Sequence, residues 1–215
     1  IWSIKTDASG RIWISGMREF GYLEPDSTGS LKYKSLWAYV PEKIRKVDIR
    51  WYIKVTSQGV YFRSQNVLFR WLDKSGKLQS FRFENRVDEW FVAEDELYIR
   101  QQGVGLMKMV GDSLQLIQGG ERFAHIATPV ALPFSDSIQN LEADTGEHST
   151  QIINKDSSVM RKQYLIATMA MGLFIYDGST FQTFKTDADS YLVRNKILCG
   201  SVLADGGYAF GTRYG

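Results

Sequence analysis

The sequence is sparing with the residues that mark many functional classes. It holds one cysteine, Cys199, and two histidines, His125 and His148, in 215 residues. A lone cysteine closes no intrachain disulfide, so the redox compartment stays unmarked. Cys199 sits in the apolar run Ile197-Leu198-Cys199-Gly200, with no histidine nearby. That setting predicts a buried structural thiol and not a nucleophile. The histidines share no ligand spacing with Cys199 or with a carboxylate cluster, so no metal site is expected. No apolar run reaches the roughly 18 residues that span a membrane as a helix.

Charge of one sign is also scarce. Twenty-six basic residues face 24 acidic ones, a net charge of +2. The short Lys43-Ile44-Arg45-Lys46 group reads as a solvated loop, and no bound nucleic acid is expected. Asp187-Ala188-Asp189-Ser190 opens like a calcium loop but lacks its later Gly and Glu, so it reads as a solvated turn. Glu94-Asp95-Glu96 reads as a hairpin tip that solubilises a turn. No Gly-x-Ser-x-Gly elbow, phosphate loop or dinucleotide fingerprint occurs. No catalytic residue and no cofactor is therefore assigned, and the chain is expected not to be an enzyme.

What the chain does have is aromatic and glycine content: six Trp, eleven Tyr, twelve Phe and 19 Gly, against four Pro. Aromatic residues suit pleated, half-buried surfaces. Gly, Asn and Asp carry the turns. A strand–turn–strand text then recurs. It runs Ile12-Trp13-Ile14-Ser15-Gly16 and Phe20 to Pro25, then Val60 to Ser64 and Val67 to Leu72, then Leu97 to Arg100 and Gly105 to Met109. It returns at Tyr164 to Thr168 with Gly172 to Asp177, and begins again at Tyr208-Ala209-Phe210-Gly211-Thr212. Starts at 12, 60, 97, 164 and 208 give spacings of 48, 37, 67 and 44. Three of these match a propeller blade of about 40–50 residues. An apolar run precedes each pair and a turn with a fourth run follows, as in Asp177-Gly178-Ser179 before Thr180 to Phe184. One unit is thus a meander of four antiparallel strands, A to D.

The fold class expected is all-β, a β-propeller of about four complete blades and a partial fifth. The blades run approximately 1–40, 41–84, 85–120, 121–190 and 191–215, taken together as a single partial propeller domain. The long spacing contains an insertion near 135–163, read as an enlarged A–B connection after a strand A within Ile126–Pro133. It is either a functional loop or tolerated decoration.

Asp7-Ala8-Ser9-Gly10-Arg11-Ile12-Trp13-Ile14 resembles the Asp-x-x-Gly-x-[Leu/Ile]-Trp-[Ile/Val] core of the two-component regulator propeller repeat. Glu19 to Leu23, Gly59 to Ser64, Gly172 to Asp177 and Tyr208 to Thr212 are similar to the matching segments of bacterial triple-tyrosine-motif sensor proteins. The resemblance covers the chain except about 135–163. It implies the extracytoplasmic, periplasmic sensor part of an inner-membrane receptor, whose output is a histidine kinase or a helix-turn-helix regulator. Propellers of that family commonly have about seven blades, so the resemblance implies a piece of a larger ring. The chain opens on Ile1 with no initiator Met, which agrees with that expectation. Unpaired strand edges in an open ring would favour a homodimer or aggregation.

In a propeller the B–C and D–A connections share one face around the central channel. The B–C connections carry Arg18 and Glu19, Gln65 and Asn66, Gln101 and Gln102, Met169, and Arg213 and Tyr214. Hydrogen-bonding side chains converging on one rim suit a polar small molecule or a glycan fragment. Any surface connection is polar, so the rim as a whole, not one residue, is the candidate site. Two other readings stay open: a carbohydrate-active enzyme on a propeller, and a protein-interaction scaffold.

Overall fold

The computed structural model describes residues 1–45, 51–134 and 162–214. The chain divides into two compact units, Ile1–Leu116 and Ile117–Gly215. In both, strands pair antiparallel in chain order, and each full sheet is a four-stranded meander.

The first unit holds three such sheets. β1 (Ser3–Thr6), β2 (Ile12–Ser15), β3 (Phe20–Pro25) and β4 (Leu31–Ser35) make the first. A short helix, α1 (Glu42–Arg45), follows it. β5 (Tyr52–Thr56), β6 (Gly59–Arg63), β7 (Val67–Leu72) and β8 (Lys77–Arg82) make the second. β9 (Val87–Ala93), β10 (Glu96–Gln101), β11 (Gly105–Val110) and β12 (Ser113–Leu116) make the third. The second unit has β13 (Val130–Phe134), β14 (Gln163–Ala167), β15 (Leu173–Tyr176) and β16 (Phe181–Phe184) in one sheet. Helix α2 (Asp189–Asn195) then leads to the pair β17 (Ile197–Val202) and β18 (Tyr208–Thr212). These are propeller blades: four complete and a two-stranded fifth.

The repeated aspartate has a local task. Asp7 Oδ1 accepts bonds from the Ser9 amide (2.9 Å) and the Arg11 amide (3.1 Å), which closes the β1–β2 hairpin. Its Oδ2 accepts from the Trp13 indole N–H at 2.8 Å. The Asp and the Trp of the repeat are therefore one device: the turn holds the buried ring in place. Asp26 and Asp177 close the C–D hairpins in the same way, through Thr28 and Ser30 and through Ser179 and Thr180.

Within each unit, sheets pack face to face on their neighbours. Phe20 of the first sheet stacks on Phe62 of the second at 4.2 Å between ring centroids. Trp13, Trp51 and Phe69 complete that layer. The opposite face of the second sheet sends Tyr61 and Leu68 against Leu97 and Met109 of the third. In the second unit, Val130, Leu165 and Ile175 pack with Ile197 and Leu192, joined by Tyr208 and Phe210.

β13 pairs with β14 from Val130↔Ala167 to Phe134↔Gln163. The segment between them is thus an enlarged A–B connection, and its residues 135–161 lie outside the described ones. Pro133 is accommodated because β13 is the edge of its sheet.

Four local expectations need correction. Cys199 is exposed, not buried: it lies on a sheet of two strands, where it faces Gly211 across the pair. Asp187 to Ser190 is not a plain turn but leads into α2, whose first residue, Asp189, accepts from the Thr186 amide (3.0 Å) and hydroxyl (2.8 Å). Lys43 to Arg45 lie in α1, where Ile44 is buried and Arg45 caps the Val40 and Ala38 carbonyls; Lys46 lies outside the described residues. The Glu94-Asp95-Glu96 tip is a clasp. Asp95 accepts from the Ser57 amide and hydroxyl, and Glu96 accepts from the Gln58 side chain (3.0 Å), so the third sheet is tied to the second.

Gly59 opens β6 at φ +145°, and a methyl there would meet the Trp71 carbonyl at 2.6 Å. Gly59→Ala is expected to lower unfolding free energy by about 1–3 kcal/mol. Urea denaturation should show a lower midpoint with an unchanged slope.

Candidate functional site

In the first unit the rim is built by backbone bonds between B–C and D–A connections. The Gln65 carbonyl accepts from the Val87 amide (2.6 Å), and the Asn66 carbonyl accepts from the Phe83 amide (3.0 Å). The Gln102 amide donates to the Arg86 carbonyl at 2.8 Å. Segment 83–87, which joins the second sheet to the third, is therefore held by both B–C connections. Gln65, Asn66 and Gln102 have exposed side chains at this junction, and Gln101 ends β10 half-buried.

The remaining rim residues differ. Arg18 is exposed and takes a left-handed backbone, φ +55°. Glu19 is occupied: its carboxylate accepts from the Phe20 amide (3.0 Å), the Tyr33 hydroxyl (3.0 Å) and the Ser35 hydroxyl (2.7 Å). In the second unit the Met169 amide donates to Ala127 (3.0 Å), and the Arg213 amide to Asn195 (2.8 Å). These are again bonds between the B-strand ends and the segments that precede A strands. Tyr214 lies beneath the Arg213 guanidinium, 5.4 Å from the ring centroid.

A second group of residues, not singled out by any sequence motif, lies just below the first-unit rim. Pairing of β9 with β10 shifts register between Ile99 and Gln101. The irregularity sets Arg100 against two consecutive carboxylates. Its Nη1 donates to Asp88 (2.7 and 2.8 Å) and to Glu89 (3.2 Å), and the Arg100 side chain is only 4 % exposed. The two acids respond oppositely. Burial, followed by the hydrogen bond and charge of Asp88, pushes the Glu89 carboxyl up to about 7. Burial also acts against ionised Asp88, but hydrogen bonds from Glu89 and Arg100 hold it below the usual carboxylate range. One acid that keeps its proton to near neutrality beside one that stays ionised is an arrangement suited to proton transfer.

Arg63, the last residue of β6, adjoins this group. Its Nη1 donates to the Val87 carbonyl at 2.6 Å. Its guanidinium lies over the rings of Tyr52 (5.5 Å) and Trp90 (5.3 Å). Burial pulls its proton affinity down to about 10, against the charges of Asp88 and Glu89.

No family model matches the chain, and no curated protein is similar to it in sequence. Among solved structures, virginiamycin B lyase from Staphylococcus aureus is similar over 97 % of this chain and 62 % of its own, at 10 % identity and a TM-score of 0.58. The extracellular domain of the hybrid two-component system BT4673 from B. thetaiotaomicron matches over 100 % of this chain and 32 % of its own, at 14 % identity and a TM-score of 0.44. The chain thus spans less than two thirds of the length of either. The likeness to the lyase shows the fold, a β-propeller.

It also corrects one expectation. The chain was expected not to be an enzyme, for want of catalytic motifs. The lyase is an enzyme on a fold similar to this one, so the fold gives that expectation no support. The Asp88–Glu89 pair drew no notice in the sequence because the register shift that groups it with Arg100 leaves no motif in the text.

Glu89 gives a pH dependence with a defined sign. A carboxyl raised above its ordinary value of 4.5 in the folded state contributes stability at low pH, which is lost as pH rises towards 7. The stability of the natural chain should therefore fall between pH 4.5 and 7 relative to Glu89→Gln, measured by urea titration at each pH. Parallel curves would refute it.

Proposed function

We propose that this chain is the ligand-recognising propeller of a bacterial extracytoplasmic sensor receptor, and that a polar ligand of glycan type binds the B–C rim. The observation that carries the reading is the shared junction at segment 83–87, where backbone bonds secure two B–C connections while Gln65, Asn66 and Gln102 keep exposed side chains. A rigid frame with amide side chains facing water suits hydroxyl-rich ligands. The Asp7 to Ile14 repeat text and its returns support the sensor family. In this reading Arg18 and Gln101 extend the rim of the first unit and Glu19 fixes its shape; Met169, Arg213 and Tyr214 hold the corresponding connections of the second unit, and the kinase or helix-turn-helix output belongs to other parts of the receptor. The test is a glycan array followed by calorimetry on the oligosaccharides it selects. Arg18→Ala, Gln65→Ala and Gln102→Ala combined should weaken binding about tenfold or more. Unchanged affinity would overturn the rim.

The Asp88–Glu89 pair favours a second reading, a carbohydrate-active enzyme with Glu89 as proton donor and Asp88 as the ionised partner. Polysaccharide cleavage, followed as new reducing ends or as unsaturated uronide absorbance, should then be abolished by Glu89→Gln. Cleavage that survives this change would refute the assignment.

A further inference from the structure

At its rim end, the seam between the second and third sheets gathers two aromatic rings and a guanidinium. Tyr52 of β5 and Arg63 of β6 are directly opposed, so their side chains share a face. Tyr61 lies two residues before Arg63 and shares that face. It packs with Leu97 and Met109, so the face is the one turned to the third sheet. Trp90 of β9 packs against the same cluster. The Arg63 guanidinium lies over both rings, 5.5 Å from the Tyr52 centroid and 5.3 Å from that of Trp90. Its Nη1 donates to the Val87 carbonyl at 2.6 Å, and the Val87 amide donates to the Gln65 carbonyl. The guanidinium is thus fixed to the junction that carries the rim. A guanidinium offers several N–H donors, yet among the described residues the Arg63 side chain makes this one hydrogen bond. Its Nε–H is buried without a partner. Tyr52 remains 40 % exposed.

We propose that Tyr52 and Arg63 form a subsite of the rim for an N-acetylated amino sugar, whose pyranose ring stacks on Tyr52 and whose acetamido carbonyl accepts from the Arg63 guanidinium. The C–H face of a pyranose is apolar and suits an aromatic ring whose partner is a fixed polar group. The acceptor is a neutral one for a local reason. Asp88 and Glu89 directly follow Val87 in β9, and Arg100 binds both, so acids and bases already balance beside Arg63. A carboxylate arriving there would meet Asp88, whereas an amide carbonyl carries no charge to repel. The acetamido methyl adds apolar surface to cover by the rings, which a plain hydroxyl lacks. Arg63 directly precedes the connection at Ser64 to Asn66, so a sugar here is adjacent to the exposed Gln65 and Asn66 side chains. The inference rests on the rim reading and adds the ligand class, a neutral amino sugar.

The probes are N-acetyl-D-glucosamine, D-glucose and D-glucuronate, titrated into the whole chain and followed by amide chemical shifts. N-acetylglucosamine should bind saturably, perturb Tyr52, Arg63 and Gln65, and bind about tenfold more tightly than either other sugar. Tyr52→Ala should weaken it about tenfold, while Tyr52→Phe, which keeps the ring, should bind as the natural chain does. Arg63→Lys keeps the charge but loses the planar donor set, and should bring N-acetylglucosamine down to the affinity of glucose. If that variant fails to fold, the two Tyr52 variants decide. No saturable binding of N-acetylglucosamine, or affinity for glucose or glucuronate equal to it, overturns the proposal. So does N-acetylglucosamine affinity that survives Tyr52→Ala. If an array-selected oligosaccharide is lost in the Arg18, Gln65 and Gln102 variant but ignores Tyr52→Ala, the rim reading stands and this inference falls. If it ignores both, both fall.

Discussion

A four-stranded meander has two faces, and in the second sheet neither is left bare where the central strands lie. Val60, Tyr61 and Phe62 are consecutive residues of β6, so their side chains alternate between faces, yet all three are buried. Phe62 enters the layer with Phe20 and Trp13, and Tyr61 the layer with Leu97 and Met109. Burying a large apolar side chain is worth about 1.5–3 kcal/mol, so the second sheet depends on a neighbour on either side. That dependence accounts for the repeat, for the Asp–Trp device that sets the ring of Trp13, and for the short hairpins.

Stacking sheets in this way forces polar groups into the seams, where each needs partners. Arg70 is an example. Its guanidinium reaches Gln79 (2.7 Å), the Gly111 carbonyl (2.8 Å) and Asp112, fastening the second sheet to the β11–β12 hairpin of the third. Arg100 is similarly satisfied by Asp88 and Glu89. Arg63 differs: it has a carbonyl, two aromatic faces and an orphaned Nε. The seam beneath the rim thus keeps one buried guanidinium N–H without a hydrogen-bond partner.

Much of the fold was legible because its signals are local. Strand alternation around Trp13, Phe62 and Phe174, and Asp-Gly turns such as Asp177-Gly178, report the strands and hairpins they occupy. The rim residues were also legible, as the positions between paired runs. What they do there was not: Glu19 looks like Gln65 in the text, but its carboxylate is engaged by Tyr33 and Ser35. Cys199 was misjudged because an apolar run predicts burial only where a neighbouring sheet covers it. Asp95 looked like a solubilising residue because its partner, Ser57, is 38 positions away.

The sequence by itself determined the unit, its repetition and the face on which its connections emerge, because period-two patterning and turn chemistry act over a few residues. Only the tertiary structure decided which charges meet. Arg63 comes from the second sheet and Asp88, Glu89 and Arg100 from the third, and a one-residue register shift at Arg100 sets the pairing of the last three. Electrostatic coupling falls with distance in space and is blind to distance along the chain, so the site's chemistry had no linear trace to read.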